Sequence, residues 1–171
     1  GTITGVVLVF KDITKEYEIQ SLLKQSELHL RTIVEATPSC VKLVARDGTL
    51  LAMNSAGLAM IEIDNPEKAI GKNVYGMVAP EYRETFKKFN ESICNGQKGS
   101  LQFQIIGAKG SRVWLESHAV PLPLQGSSEL VQLAITQDIT KKKQNEDSLK
   151  ESEQLYHAIF EKSQAVKLLI D

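Results

Sequence analysis

The side chains best able to do chemistry are few: Cys40, Cys94 and three histidines, His29, His118 and His157. Two cysteines this far apart make neither a disulfide framework nor a zinc site, and their scarcity fits a reducing setting. A redox-sensing thiol needs exposure and a depressed pKa. Cys40 stands at the start of a strand beside Lys42, and Cys94 at the end of a helix, where the dipole disfavours a thiolate, so both read as packing residues. Gly96-Gln97-Lys98-Gly99-Ser100 lacks the spacing of a phosphate-cradling loop. No Ser, His and Asp set and no pair of carboxylates is arranged for catalysis, so no enzymatic chemistry is expected. Asn90-Glu91-Ser92 matches a glycosylation acceptor, a pattern that chance produces often.

The composition bounds the size of the fold and the kind of partner. The 171 residues, 42% hydrophobic and 24% charged, provide one ordinary domain with a core of its own and some residues to spare. Lys and Arg number 20 against 21 Asp and Glu, a formal charge of −1, so nucleic acid is not an expected partner. The longest apolar run, Val6 to Phe10, is far short of the roughly 20 residues of a membrane span, so no membrane contact is expected and a cytoplasmic location fits best.

The chain also repeats itself. Lys11-Asp12-Ile13-Thr14-Lys15 returns as Gln137-Asp138-Ile139-Thr140-Lys141, an offset of 126 residues. Leu23-Lys24 and Leu149-Lys150 match at the same offset, as do Ile33 and Ile159. Each copy reads as strand, Asp-Ile-Thr, polar helix, strand. In the first helix Ile19, Leu23, Leu30 and Ile33 fall on a heptad ladder with Ser26 as its middle rung, and the second keeps the ladder with Leu149, Tyr156 and Ile159. The spacing fits a dimer seam and an amphipathic helix lying on its own domain equally well.

Between the helices, Cys40 to Ala45 and Thr49 to Met53 flank Arg46-Asp47-Gly48, a hairpin signal. Asn65-Pro66-Glu67 starts a helix and Gly71 breaks it. Pro80 opens a longer helix whose Tyr82, Phe86, Phe89 and Ile93 form a core face, closed by Asn95-Gly96. Alternation from Ser100, a turn at Ala108-Lys109-Gly110, a strand from Arg112 to Val120 and a last strand after Gly126-Ser127-Ser128 complete the domain. The expected class is α+β: a five-stranded antiparallel sheet with short helices on one face, flanked by amphipathic linker helices.

This order, with Asp47-Gly48, Asn54-Ser55-Ala56, Ile70-Gly71-Lys72, Ala79-Pro80-Glu81, Lys109-Gly110-Ser111, Trp114-Leu115-Glu116 and the closing Asp138-Ile139-Thr140, resembles the PAS domain, a sensor module common in bacterial signalling proteins. The resemblance implies the last strand of a preceding repeat over residues 1–14 and linker helices over 15–36 and 141–165. A complete domain would occupy 37–140, and 166–171 would be the first strand of a following repeat. It further implies a small-molecule pocket between the inner sheet face and the helices. Leu101, Phe103, Ile105, Val113, Leu115 and Phe86 would supply apolar lining, with Ser117, Gln132, Ala134 and Thr136 also turned inward. The same residues also fit a core filled by side chains, with no cavity.

Specific cofactors fare poorly against the family pattern. Light-sensing relatives place a reactive Cys within Asn-Cys-Arg-Phe-Leu, where this chain has Asn54-Ser55-Ala56-Gly57-Leu58. Their flavin-binding amides correspond to Ile105, Leu115 and Thr136, which lack those hydrogen bonds. Haem-binding relatives need an axial His in the long helix, and Tyr82 to Ile93 contains none. Haem and photochemical flavin are therefore disfavoured, and the cofactor is left unassigned, with no metal ligands. His29-Leu30-Arg31-Thr32 is similar to the phospho-acceptor box of histidine kinases, but it lacks that box's Glu and Pro. The resemblance assigns signal relay to Trp114, Glu116, Asp138 and Thr140, the last two expected to cap the outgoing helix. The expected partners are a second copy of the chain, neighbouring repeats and an output domain, a histidine kinase or alternatively a diguanylate cyclase. A ligand-free dimerising spacer is the rival function.

Overall fold

A computed structural model describes residues 1, 5, 14–124 and 126–167, with side-chain surroundings to residue 160. The strand expected over Val6 to Phe10 lies outside the described residues. The chain divides into two compact units, residues 1–36 and 37–171. The first contains helix α1, Thr14–Ala36, a run of Leu, Glu, Gln and Lys without internal Gly or Pro. It stops just ahead of Thr37-Pro38, because proline disfavours helical backbone in the residue before it. Its seam residues Ile19, Leu23, Leu30 and Ile33 are all exposed.

The second unit is a five-stranded antiparallel sheet. Its strands are β1 (Cys40–Val44), β2 (Leu50–Met53), β3 (Gly99–Ile106), β4 (Arg112–Pro123) and β5 (Leu130–Asp138), in the order β2-β1-β5-β4-β3. Their positions match the expected strands, with β4 running three residues further, through Pro121 and Pro123. The β1–β2 hairpin turns at Gly48, whose φ of +89° and close approach to the Tyr75 ring leave no room for a side chain. Asp47 braces the turn by accepting from Thr49 N at 2.9 Å, a bond that holds its carboxyl below the usual range.

The crossover from β2 to β3 carries the helices. Helix α2 (Ser55–Met60) is capped by Asn54 Oδ1, which accepts from Gly57 N and from Val41 N, both at 3.0 Å. The same amide donates to Ser39 O at 3.0 Å, so one buried side chain seats the helix on β1. Short 3-10 turns follow at Pro66–Lys68, Val74–Gly76 and Pro80–Tyr82. The last leads into α3, Arg83–Cys94. The helix expected from Asn65 is therefore one turn only, because Gly71 follows at φ +78°. On α3, Phe86 and Ile93 are buried and Phe89 half-buried, and half-buried Tyr82 at the end of the preceding turn completes the 4-3-4 face read from their spacing. Phe86 meets Phe103 of β3 at 4.8 Å between ring centroids and joins the main core. Each such buried side chain contributes roughly 1.5–3 kcal/mol.

Asn90, the residue of the apparent glycosylation acceptor, is fully buried. Its amide donates to Ala45 O at 2.9 Å and to the Tyr75 hydroxyl at 3.1 Å, tying α3 to the hairpin. Helix α4 spans Thr140–Lys167, so Val166 and Lys167, expected to begin a strand, continue the helix, and residues 168–171 lie outside the described residues. Leu149, Tyr156 and Ile159 of α4 are exposed, like their counterparts on α1.

Candidate functional site: an apolar cavity and its helical junction

Packing between the inner sheet face and the helical crossover leaves a cavity of about 40 Å³, room for about three water molecules. Four of the residues expected to line it do so: Phe86, Phe103, Ile105 and Leu115. Leu101 and Val113 are half-buried and pack against the same core without reaching the cavity. Ser117, Gln132, Ala134 and Thr136 are fully buried on the inner face, as the alternation requires, but they too lie outside the lining. The reason is the second packing tier. Ala134 and Ala119 are covered by Ile93 and Phe89 of α3, which close that end of the sheet. There Thr136 Oγ1 donates to Ser117 Oγ at 2.9 Å. Gln132 has both side-chain polar atoms buried without a hydrogen-bond partner among the described residues.

The lining includes residues that the sequence did not single out for it. All three methionines of the chain, Met53, Met60 and Met77, face the cavity, and flexible thioethers let such a wall repack around an occupant. Gly57 brings α2 so close that a side chain there would meet Met53 Cγ at 2.5 Å and Cys40 Sγ at 2.7 Å. Most unexpected is Lys42, 7% exposed. Its ammonium sits 5.6 Å from the Phe86 ring centroid and 5.7 Å from that of Phe103. Burial pulls the Lys42 pKa down, with a smaller opposing influence from Cys40, and burial pushes the Cys40 thiol up. Cys94 is also buried and raised, by desolvation first, so neither thiol is activated.

The opposite face of β4 leads to α4. Ile139 N donates to Trp114 O at 2.8 Å, and Trp114 N donates to Thr140 Oγ1 at 3.0 Å. Asp138 Oδ1 accepts from Thr140 N at 2.8 Å, capping the helix start as its residue type suggests. Thr140 departs from that expectation: its hydroxyl accepts from a neighbouring strand. The Trp114 ring lies between Tyr82, 5.5 Å away edge-on, and Lys143 Nζ at 5.5 Å. Glu116 accepts from Gln102 Nε2 at 2.8 Å, the main cause of its lowered pKa, and makes no hydrogen bond to α4 among the described residues. His29 and His157 are exposed on their helices, and His118 on the outer sheet face. Among the described residues no group of three or more His, Cys, Asp or Glu could hold a metal ion, and no helix is long and apolar enough to cross a membrane.

One further side chain escaped the sequence reading. Glu62 follows α2 with φ +63°, and its carboxylate accepts from Lys109 N and Ser111 Oγ, both at 2.6 Å. These bonds stitch the α2 end to the β3–β4 turn and hold its carboxyl below the usual range, the Ser111 bond contributing most.

Sheet order, helical crossover and an apolar cavity describe the architecture, and comparison with known proteins gives it a family. The PAS fold matches residues 28–139, and the chain belongs to the PAS family. It is 23% identical over 151 residues to Sporulation kinase A of Bacillus subtilis (strain 168), covering 87% of this chain and 24% of that protein. The chain thus spans about a quarter of that relative's length. The PAS domain of an HTR-like protein from Haloarcula marismortui superposes with a TM-score of 0.60 at 19% identity, covering 72% of this chain and 99% of that one. A PAS domain from Colwellia psychrerythraea gives 0.59 at 22% identity, with 70% and 98% covered. These likenesses bear on the fold alone.

Proposed function

We propose that the chain is a sensory module of a multidomain cytoplasmic signalling protein, which binds a small, largely apolar ligand in the cavity and relays its presence through α4. One observation carries the reading. Leu115 lines the cavity, while its neighbour Trp114 commits both backbone polar groups to Ile139, just before α4, and Thr140, its first residue. A displacement of β4 by an occupant therefore reaches the helix across one peptide unit. The similarity to Sporulation kinase A supports a histidine kinase as the output, with α4 acting in a homodimer through its exposed seam.

A ligand-free dimerising spacer accounts for the exposed Leu149, Tyr156 and Ile159 but gives no role to the cavity or the junction. Native mass spectrometry of the purified chain separates the two: a discrete extra mass, lost on denaturation, supports sensing. In the complete signalling protein, Asp138→Ala should leave ligand binding intact and uncouple output from it. Unchanged signalling by that variant would overturn the relay.

A further inference from the structure

Among the described residues, Lys42 is the one charged side chain in the cavity lining, and no carboxylate lies there to neutralise it. Among the described residues no hydrogen-bond acceptor or ion-pair partner reaches its ammonium, whose near neighbours are the faces of Phe86 and Phe103 and the Cys40 thiol. A buried, unpaired charge is costly unless something compensates it. The rest of the lining is apolar and, at its methionines, adaptable. On this chemistry we infer that the cavity takes a small monocarboxylate with a short apolar tail, its carboxylate paired with Lys42 and its tail among Met53, Met60 and Met77. The inference rests on the sensory reading above and specifies the class of ligand.

A route to the site is also present. A surface groove of about 460 Å³ adjoins the cavity, and Leu50, Val74 and Met77 line both, so these three side chains are the partition between them. Lys68 and Lys72, both exposed, stand in the groove's wall and give it a positive field attractive to an anion. Val74 and Met77 belong to a short 3-10 turn and its cap, whose backbone is pinned by Val74 N donating to Gly48 O at 2.9 Å and Ile106 N donating to Met77 O at 2.8 Å, so opening falls to the side chains. Of the three, Met77 has the most flexible side chain, and its rotation would thin the partition between groove and cavity. The small cavity makes acetate the first candidate, and the longer tails of propionate and butyrate would require the methionine wall to give way.

The test is calorimetric titration of the 171-residue chain with acetate, propionate and butyrate, each against its neutral amide, in the native protein and in Lys42→Met. The native protein should bind the best acid roughly 10–100-fold tighter than its amide. In Lys42→Met that preference should vanish while the amide's affinity is retained. Lys42→Gln, which keeps a polar head without the charge, should also lose the preference. Equal binding of acid and amide by the native chain, or acid binding that survives both substitutions, would overturn the assignment and leave the sensory reading standing. Absence of binding by acids and amides alike, together with a bare mass in native spectrometry, would overturn both.

Discussion

Replacing Thr140 by Val removes a single hydroxyl at the point where β4, β5 and α4 meet. The native hydroxyl accepts from Trp114 N at 3.0 Å, in a place where the β4–β5 ladder has already ended. Valine keeps the branched shape and leaves that part-buried amide without its acceptor, at a cost of about 1–2 kcal/mol. The bonds of Asp138 to Thr140 N and of Ile139 N to Trp114 O survive, so the loss should be local. It corresponds to roughly a five- to thirtyfold increase in opening of the junction. Amide hydrogen exchange reads this directly. Trp114, Ile139 and Lys143, whose N–H donates to Ile139 O at 2.9 Å, should exchange faster by that factor. Leu43 and Leu133, paired at the sheet centre, should not change. Unchanged protection at Trp114 and Ile139 would refute the reasoning, because the hydroxyl would then not hold the strand to the helix. A uniform rise across the sheet would refute it too, since the residue would then serve global stability and no particular connection.

Two other predictions concern buried polar groups. Because burial lowers the Lys42 pKa, the unfolded chain holds more protons than the native one between that lowered value and the ordinary 10.5, so Lys42 makes stability rise with pH across this window. Lys42→Met should therefore be more stable than the native chain near neutrality, by ~1–4 kcal/mol, with the gap closing as pH approaches 10.5. Cys40, raised by burial, acts in the opposite sense above its ordinary 9.0 and is present in both proteins; urea titrations from pH 6 to 10 (a range of about four units) showing a constant gap would contradict the assignment. Gln132→Leu should raise stability by ~1–3 kcal/mol, since it removes a buried amide with no partner, whereas a loss on thermal or urea melting would mean the amide is satisfied in solution.

Much of the fold was legible because its periodicities are clean. The Asp47-Gly48 turn, the 4-3-4 face of α3 and the alternation from Ser100 each follow from local geometry. The site was legible only in part, for reasons visible in particular residues. In β1 the inner positions are Cys40, Lys42 and Val44, while Val41 and Leu43 are apolar on the other face. With both faces apolar, the alternation loses its contrast, and a lysine reads as solvent-facing. Its shared face with Cys40 and Val44 was the available signal. Ser117, Gln132 and Thr136 were placed on the correct face but too far along their strands, because where α3 covers the sheet depends on tertiary packing. Thr140 was expected to cap its own helix. Its hydroxyl serves the strand next door, a pairing set by register between residues 26 apart in sequence.

In the proposed relay, the coupling of cavity to helix would follow from the pleat itself. Successive residues of a strand face opposite ways, so Leu115 meets an occupant and Trp114 meets the outside with one peptide plane between them. Were Trp114 free on its outer side, a ligand-driven shift of β4 would be absorbed by a change of side-chain rotamer. Instead its N–H and C=O are both spent on Thr140 and Ile139, and its ring is held between Tyr82 and Lys143. Under the proposal the strand would therefore move with the helix or the junction would open, two arrangements between which a ligand would choose. It can bias them only by as much as it prefers one cavity shape to the other, a tenfold preference supplying about 1.4 kcal/mol. The three methionines are the part of the wall best able to differ between the two shapes. The signal's strength should thus depend on how tightly the occupant's tail packs them, and the ligand's mere presence on its charge.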